Sequence, residues 1–214
     1  MTLTVTKSLA IVTVMLVGLL AACDRPAQSP GAIPSVTSPA LPVLTSPLSE
    51  TNTATLGAID ANWYVYTAPD NRYQVRFPGK PTKETSTLEL DTGKVVLTLV
   101  VYDDSQHQRA YAVSHSPVGT LSTPEEIDRR LAASQANMAK AVAAEVETWA
   151  PIIQDGYPGR EFTLRKAGNY AAKAKVVYAQ GVLYQAIALT YDEKNLNQLE
   201  IAAFLESFYL LPQP

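Results

Sequence analysis

Asp91-Thr92-Gly93 is the triplet that carries the catalytic carboxylate of aspartic proteases. That chemistry needs two carboxylates sharing one proton, supplied by two lobes or two subunits. No second copy of the triplet occurs, and Lys94 follows it directly. Asp and Gly are ordinary turn residues, so the expected role is a hairpin turn. The 2 histidines add little. His115 shares strand parity with Tyr111 and Val113, which reads as a partly buried sheet residue. His107 ends the run Tyr102-Asp103-Asp104-Ser105-Gln106-His107, which has oxygen and nitrogen donors but no metal-ligand spacing, so a polar loop is expected. Ser114 beside His115 does not make a triad, and there is no Gly-x-Ser-x-Gly elbow and no phosphate-cradling glycine loop. With no catalytic constellation, the expectation is a protein that is not an enzyme and uses no cofactor or metal.

Composition narrows the class further. The chain has 214 residues, a formal net charge of −3 and 1 cysteine. One cysteine excludes an intramolecular disulfide and a Cys-rich zinc site. The slight acidic balance gives no footprint for general nucleic-acid binding. The averages hide a partition. Before residue 60 the only charges are Lys7, Asp24, Arg25 and Glu50, and the first aromatic in the chain is Trp63.

Lys7 precedes an uncharged stretch from Ser8 to Ala22, apolar between Leu9 and Leu20 apart from Thr13 and Gly18. The stretch is shorter than the ~18–20 residues that span a hydrocarbon core, and it ends in small residues. A cationic start, a short apolar run and a small-residue exit make a secretory leader. Leu20-Ala21-Ala22-Cys23 resembles the lipobox of bacterial lipoproteins. The resemblance implies cleavage before Cys23, a diacylglycerol on its sulfur and acylation of the new amine. Two or more chains give stable anchoring where one is marginal. The competing reading is an ordinary leader cleaved after Ala22, which leaves a free thiol. Asp24 follows the cysteine, a position where some double-membrane bacteria use aspartate to retain lipoproteins in the inner membrane.

From Asp24 to Ile59 the chain is rich in Ser and Thr and carries Pro26, Pro30, Pro34, Pro39, Pro42 and Pro47. Such a composition cannot bury enough apolar surface to offset ordering. It reads as a spacer, reaching roughly 30–35 Å as a coil and about 110 Å as polyproline II. The expected organisation is therefore a leader over 1–22, a lipidated cysteine with a disordered tether over 23–59, and a globular domain over 60–214.

Within that domain, Tyr73-Gln74-Val75-Arg76-Phe77 alternates as a half-buried strand and stops at Pro78-Gly79. Strands are expected over 85–90 and 94–102 around the Asp-Thr-Gly turn, the second apolar on both parities as in a central strand. Another runs over 109–116. Thr123-Pro124-Glu125-Glu126 is a capping box with proline at the first helical position. Ile127, Leu131, Met138 and Val142 then form one stripe on a helix ending near Glu145. Further strands are expected over 146–153, 160–166, 170–180 and 182–191. Tyr157-Pro158-Gly159-Arg160 fits a type II turn, with Arg160 and Glu161 as a weaker candidate binding edge. A closing helix opens at Asn195-Leu196-Asn197-Gln198 and carries Leu199, Ala203, Phe204 and Phe208. Short links favour antiparallel pairing, which gives an α+β class: one twisted, mainly antiparallel sheet flanked by two principal helices.

One surface feature stands out. If Phe162, Leu164, Ala172, Ala174 and Val176 face inward, then Arg165, Lys173 and Lys175 face outward together, with Lys166 at the turn. This basic patch on an acidic protein suits anionic headgroups or an acidic partner. The competing reading is lysines guarding a strand edge against aggregation.

The order of elements resembles a family. Asn62-Trp63-Tyr64, then Tyr73-Gln74-Val75-Arg76-Phe77-Pro78-Gly79-Lys80-Pro81, then Tyr157-Pro158-Gly159-Arg160-Glu161-Phe162, then Phe204-Leu205-Glu206-Ser207-Phe208, is similar to small secreted bacterial proteins of the PsbP/DcrB-like fold. The resemblance spans roughly residues 62–211 and implies an antiparallel sheet sandwiched by helices. PsbP-like proteins are luminal accessory factors of photosystem II, and bacterial members include lipoproteins; DcrB is a periplasmic lipoprotein. No family site residue carries over by position. The functional expectation is a non-catalytic lipoprotein anchored through Cys23 on the extracytoplasmic face of a membrane, in periplasm or thylakoid lumen, as an accessory or assembly factor for a membrane complex. The alternative is an extracytoplasmic small-ligand binding protein with a tyrosine-lined cleft between helix and sheet.

Overall fold

Hydrophobic alternation on both faces of one long sheet sets the architecture. In the computed structural model, described over residues 62–90 and 93–212, that sheet has seven antiparallel strands. They are β3 (Thr82–Leu90), β4 (Gly93–Asp104), β5 (Arg109–Pro117), β6 (Glu145–Gln154), β7 (Tyr157–Lys166), β8 (Tyr170–Ala179) and β9 (Val182–Thr190), ordered β3-β4-β5-β9-β8-β7-β6. A second sheet of three strands joins β1 (Tyr64–Thr67), β2 (Tyr73–Phe77) and β10 (Tyr209–Leu210), with β2 in the middle. Two α-helices, α1 (Pro124–Ala141) and α2 (Leu199–Ser207), and a short 3-10 helix over Glu193–Asn195 complete the described residues. This is an α+β fold.

Each face of the large sheet has its own core. Leu99, Val101, Phe162, Leu164, Ala172, Ala174, Val176 and Ile187 pack with Leu131 and Met138 of α1. On the other face, Tyr111, Val113, Tyr184 and Ala186 pack with Ile201, Phe204 and Leu205 of α2 and with Tyr73, Val75 and Phe77 of the small sheet. The inward parity expected for β7 and β8 is observed.

The capping box forms as expected. The Glu126 N–H donates to Thr123 Oγ1 at 3.2 Å, and the Glu126 carboxylate accepts from the Thr123 N–H at 3.3 Å. The helix ends four residues before Glu145. Ala143 takes a φ of 52° and the Ala144 N–H bonds back to Ala139 O at 2.9 Å, which turns the chain directly into β6.

Other expectations are corrected. Tyr157-Pro158-Gly159-Arg160 is strand, not a turn. The β6–β7 hairpin turns at Asp155-Gly156, with φ of 52° and 85°, and pairs Gln154 with Tyr157. Two consecutive positive φ values are what a two-residue hairpin of the favoured twist requires. As expected, β4 is an interior strand with buried residues on both faces, Leu97, Leu99 and Val101 on one and Val100 on the other, while β9, buried at every position, lies in the middle of the sheet. The expected single sheet is two sheets, because the short β1 and β10 pair with β2 instead of joining the larger ladder. Phe208 is fully buried just beyond α2, while Leu199 is 58% exposed at its start. Asp91 and Thr92 lie outside the described residues; β3 and β4 pair Leu90 with Gly93 on either side of them. Among the described residues, no helix is long and apolar enough to cross a membrane.

Candidate functional site

Three surface features bear on function, and each follows from strand register. The first is the basic cluster. Cross-strand pairing sets Arg165 against Ala171, Thr163 against Lys173 and Glu161 against Lys175, so the three cations share one face as expected. Their charges are largely met. The Arg165 guanidinium donates to both Glu147 oxygens at 3.0 Å and to Glu193 at 2.6 Å. Its hydrogen bonds to these two carboxylates hold its proton more firmly than usual. Glu193 also accepts the Gly168 N–H at 3.0 Å, which clamps the β7–β8 turn. Lys175 lies 3.8 Å from Glu161. Arg165 is therefore a structural clasp as well as a surface cation.

The second feature is the edge strand β6. Trp149 and Ile153 are 53% and 73% exposed, in the uncharged run Trp149-Ala150-Pro151-Ile152-Ile153. The opposite edge, β3, instead shows Lys83, Glu84, Thr85 and Ser86 to solvent. Proline within an edge strand discourages further strand pairing, and Pro151 sits in this run. Trp149 is held from beneath by Arg160, whose guanidinium carbon is 4.3 Å from the indole centroid. Arg160 is buried and reaches α1, donating to Asp128 at 2.7 Å and Gln135 at 3.1 Å. A rigid aromatic resting on an arginine, with an exposed isoleucine on the same strand, is the kind of anchor that dominates protein interfaces.

The third feature is an open cleft of about 430 Å³ where the start of α1 meets the sheet, lined by Leu121, Ile127, Tyr157, Pro158, Tyr178 and Gln180 among others. Both tyrosines are engaged. The Tyr178 hydroxyl accepts from the Leu121 N–H at 2.8 Å and donates to Gly119 O at 3.2 Å, and Tyr157 accepts from Gln180 at 3.0 Å.

The remaining candidates separate. Ser114 and His115 point to opposite faces, as neighbours in a strand must. The buried Ser114 hydroxyl donates to Gln185 at 3.4 Å. His107 lies in the β4–β5 turn, its Nδ1 2.8 and 2.9 Å from the two Asp104 oxygens. Among the described residues, no three His, Cys, Asp or Glu side chains converge as metal ligands. Cys23 lies outside the described residues.

No family model matches the chain, and no curated protein matches it. Solved structures do. The solution structure of cyanobacterial PsbP (CyanoP) from Synechocystis sp. PCC 6803 aligns with a TM-score of 0.50 at 14% identity, covering 72% of this chain and 96% of that one. The fold is PsbP-like. At that identity the likeness speaks for the fold alone. A protein of unknown function from Pseudomonas aeruginosa, PA94, described as a putative regulator, aligns with a TM-score of 0.34 at 12% identity over 71% of this chain and 98% of that one.

Proposed function

We propose that this chain is a lipid-anchored, non-catalytic accessory module on the extracytoplasmic face of a bacterial membrane, which binds a protein of a membrane complex through the β6 edge. The observation that carries this reading is the Trp149–Ile153 run, an exposed apolar strip on a sheet whose opposite edge shows Lys83, Glu84, Thr85 and Ser86 to solvent. Cys23 and the proline-rich segment after it support the tether: acyl chains hold the protein at the bilayer and the spacer lets the domain reach its partner. Assembly with a membrane complex is in keeping with the accessory role of PsbP-like proteins. Crosslinking and affinity purification from native membranes should recover a membrane-protein partner, and a Trp149→Glu/Ile153→Lys variant should lose it. Recovering no protein partner would overturn the reading. Cys23→Ser should move the protein from the membrane to the soluble fraction; tight attachment that persists refutes lipidation.

The tyrosine-lined cleft favours a second reading, a small apolar ligand bound between α1 and the sheet. A Tyr157→Ala variant that retained the protein partner but lost a co-purifying small molecule would favour it.

A further inference from the structure

His115 projects from β5 into the seam between the two sheets. Its ring packs edge-on against Tyr73 of β2, with centroids 5.5 Å apart, and lies 6.1 Å from Tyr184 of β9. Tyr73 is fully buried and also contacts Tyr184 at 5.9 Å and Phe208 at 5.8 Å. This aromatic group is what fastens the end of the small sheet to the large one. One polar atom inside it, His115 Nδ1, is buried with no hydrogen-bond partner among the described residues.

A neutral imidazole tolerates that position. With its proton on Nε2, only a lone pair faces inward at Nδ1. Protonation converts Nδ1 into a buried donor without an acceptor and adds a charge that burial has stripped of water, and both changes are costly. The charged and titratable groups around it come from every packed element. Asp70, in the β1–β2 turn, favours the cation, whereas Arg72 from the same turn and Lys83 of β3 oppose it. Tyr66 of β1, Tyr73 of β2 and Tyr184 of β9 stay neutral, with proton affinities raised by burial. Desolvation outweighs Asp70 and pulls the His115 pKa below 6.5.

We infer that His115 is an acid-sensitive latch: its protonation loosens the three-stranded sheet from the seven-stranded sheet and uncovers the apolar strip of Tyr73, Val75 and Phe77. The sign follows from linkage. The open seam gives His115 an ordinary affinity for its proton, and the closed seam a lower one, so closure is complete above about pH 6.5. Below that, the opening equilibrium rises by up to tenfold per pH unit until His115 titrates in the closed form.

The test uses the full chain held in mild detergent. Two-dimensional NMR should show His115 titrating below the ordinary histidine value of 6.5. Hydrogen exchange, corrected for its intrinsic pH dependence, should show β1 and β2 amides losing protection by up to tenfold per unit between pH 6.5 and the His115 midpoint, while β7 and β8 amides hold theirs. His115→Phe keeps a planar ring in the seam and should abolish this dependence. His115→Gln, neutral and polar, should abolish it too if the phenylalanine variant folds poorly. Protection of β1 and β2 that does not change between pH 7.5 and 5, or that changes equally in both variants, overturns the proposal.

Discussion

The guanidinium of Arg160 sits 4.3 Å beneath the Trp149 ring and 2.7 Å from Asp128, so one buried side chain joins the exposed edge of the sheet to the helix that covers it. Trp149→Leu removes the cation–π contact, worth about 0.5–2 kcal/mol, and leaves Arg160 its hydrogen bonds. Arg160→Ala deletes the packed stem as well and leaves Gln135 Oε1 without its donor, at about 2–3 kcal/mol. Urea unfolding should rank the two variants in that order. Equal losses would mean that the indole, not the arginine, holds the edge.

Gly159 of β7 has no room for a side chain. A Cβ at this position would lie 2.6 Å from the carbonyl oxygen of Val176 and 3.2 Å from Ile152. Backbone cannot move aside as a side-chain tip can, so Gly159→Ala should destabilise by more than about 2 kcal/mol. Gly156→Ala acts differently, through a φ of +85° in open space, and should cost about 1 kcal/mol. Thermal unfolding of both variants separates a packing role from a turn role.

These glycines also explain what could be read in the sequence. Asp155-Gly156 and Pro158-Gly159 are both turn-like pairs, and local composition does not choose between them. The hairpin is decided by twist at the first pair and by contact with β8 at the second, and the latter is a tertiary fact. The capping box at Thr123 and the alternation through Phe162 and Leu164 were legible because each lies within one element. The four residues of β1 and the two of β10 are too short to carry a period. Arg160 read as a turn residue because Gln135 and Asp128 lie 25 and 32 positions away in the chain. The basic patch was legible as a face but not as a network, since Glu147 and Glu193 come from other elements.

That network makes a prediction about the patch. Arg165→Gln breaks contacts to two carboxylates and releases Glu193 from the β7–β8 turn, at about 1 kcal/mol for a partly exposed cluster. Lys173→Gln lacks such partners among the ion pairs seen here and should leave stability within about 0.5 kcal/mol. If the cluster also meets anionic headgroups, converting Arg165, Lys166, Lys173 and Lys175 together to glutamine should weaken binding of the Cys23→Ser protein to phosphatidylglycerol vesicles. Unchanged binding in a flotation assay would assign the cluster to structure alone.

Thr123→Ala removes the side-chain acceptor for the Glu126 N–H and half of the capping box, at about 1 kcal/mol. Thr123→Ser keeps the oxygen and should restore most of the stability. Because α1 covers Phe162 and Leu164, fraying of its first turn should raise hydrogen exchange in residues 126–128 before any change in β7.

Alkaline stability tests the buried phenols. Tyr170 is buried, and its hydroxyl donates to Val142 O at 2.8 Å, just past the end of α1. Desolvation raises its pKa from 10.0 to about 12. An acid whose pKa is higher folded than unfolded keeps its proton better in the folded state, so its contribution is complete below about pH 10 and is lost as the pH rises from 10 toward 12. Tyr73, also shifted upward by burial, acts in the same direction. Stability by urea unfolding should therefore fall with pH across that window. Tyr170→Phe should be less stable at pH 8, since Val142 O loses its donor, yet decline less steeply above pH 10, by up to one proton. The two effects have opposite consequences at high pH, so the curves for the two proteins should converge there. Parallel curves would mean that Tyr170 ionises without unfolding, through a local opening of the α1–β6 junction that leaves the sheet intact.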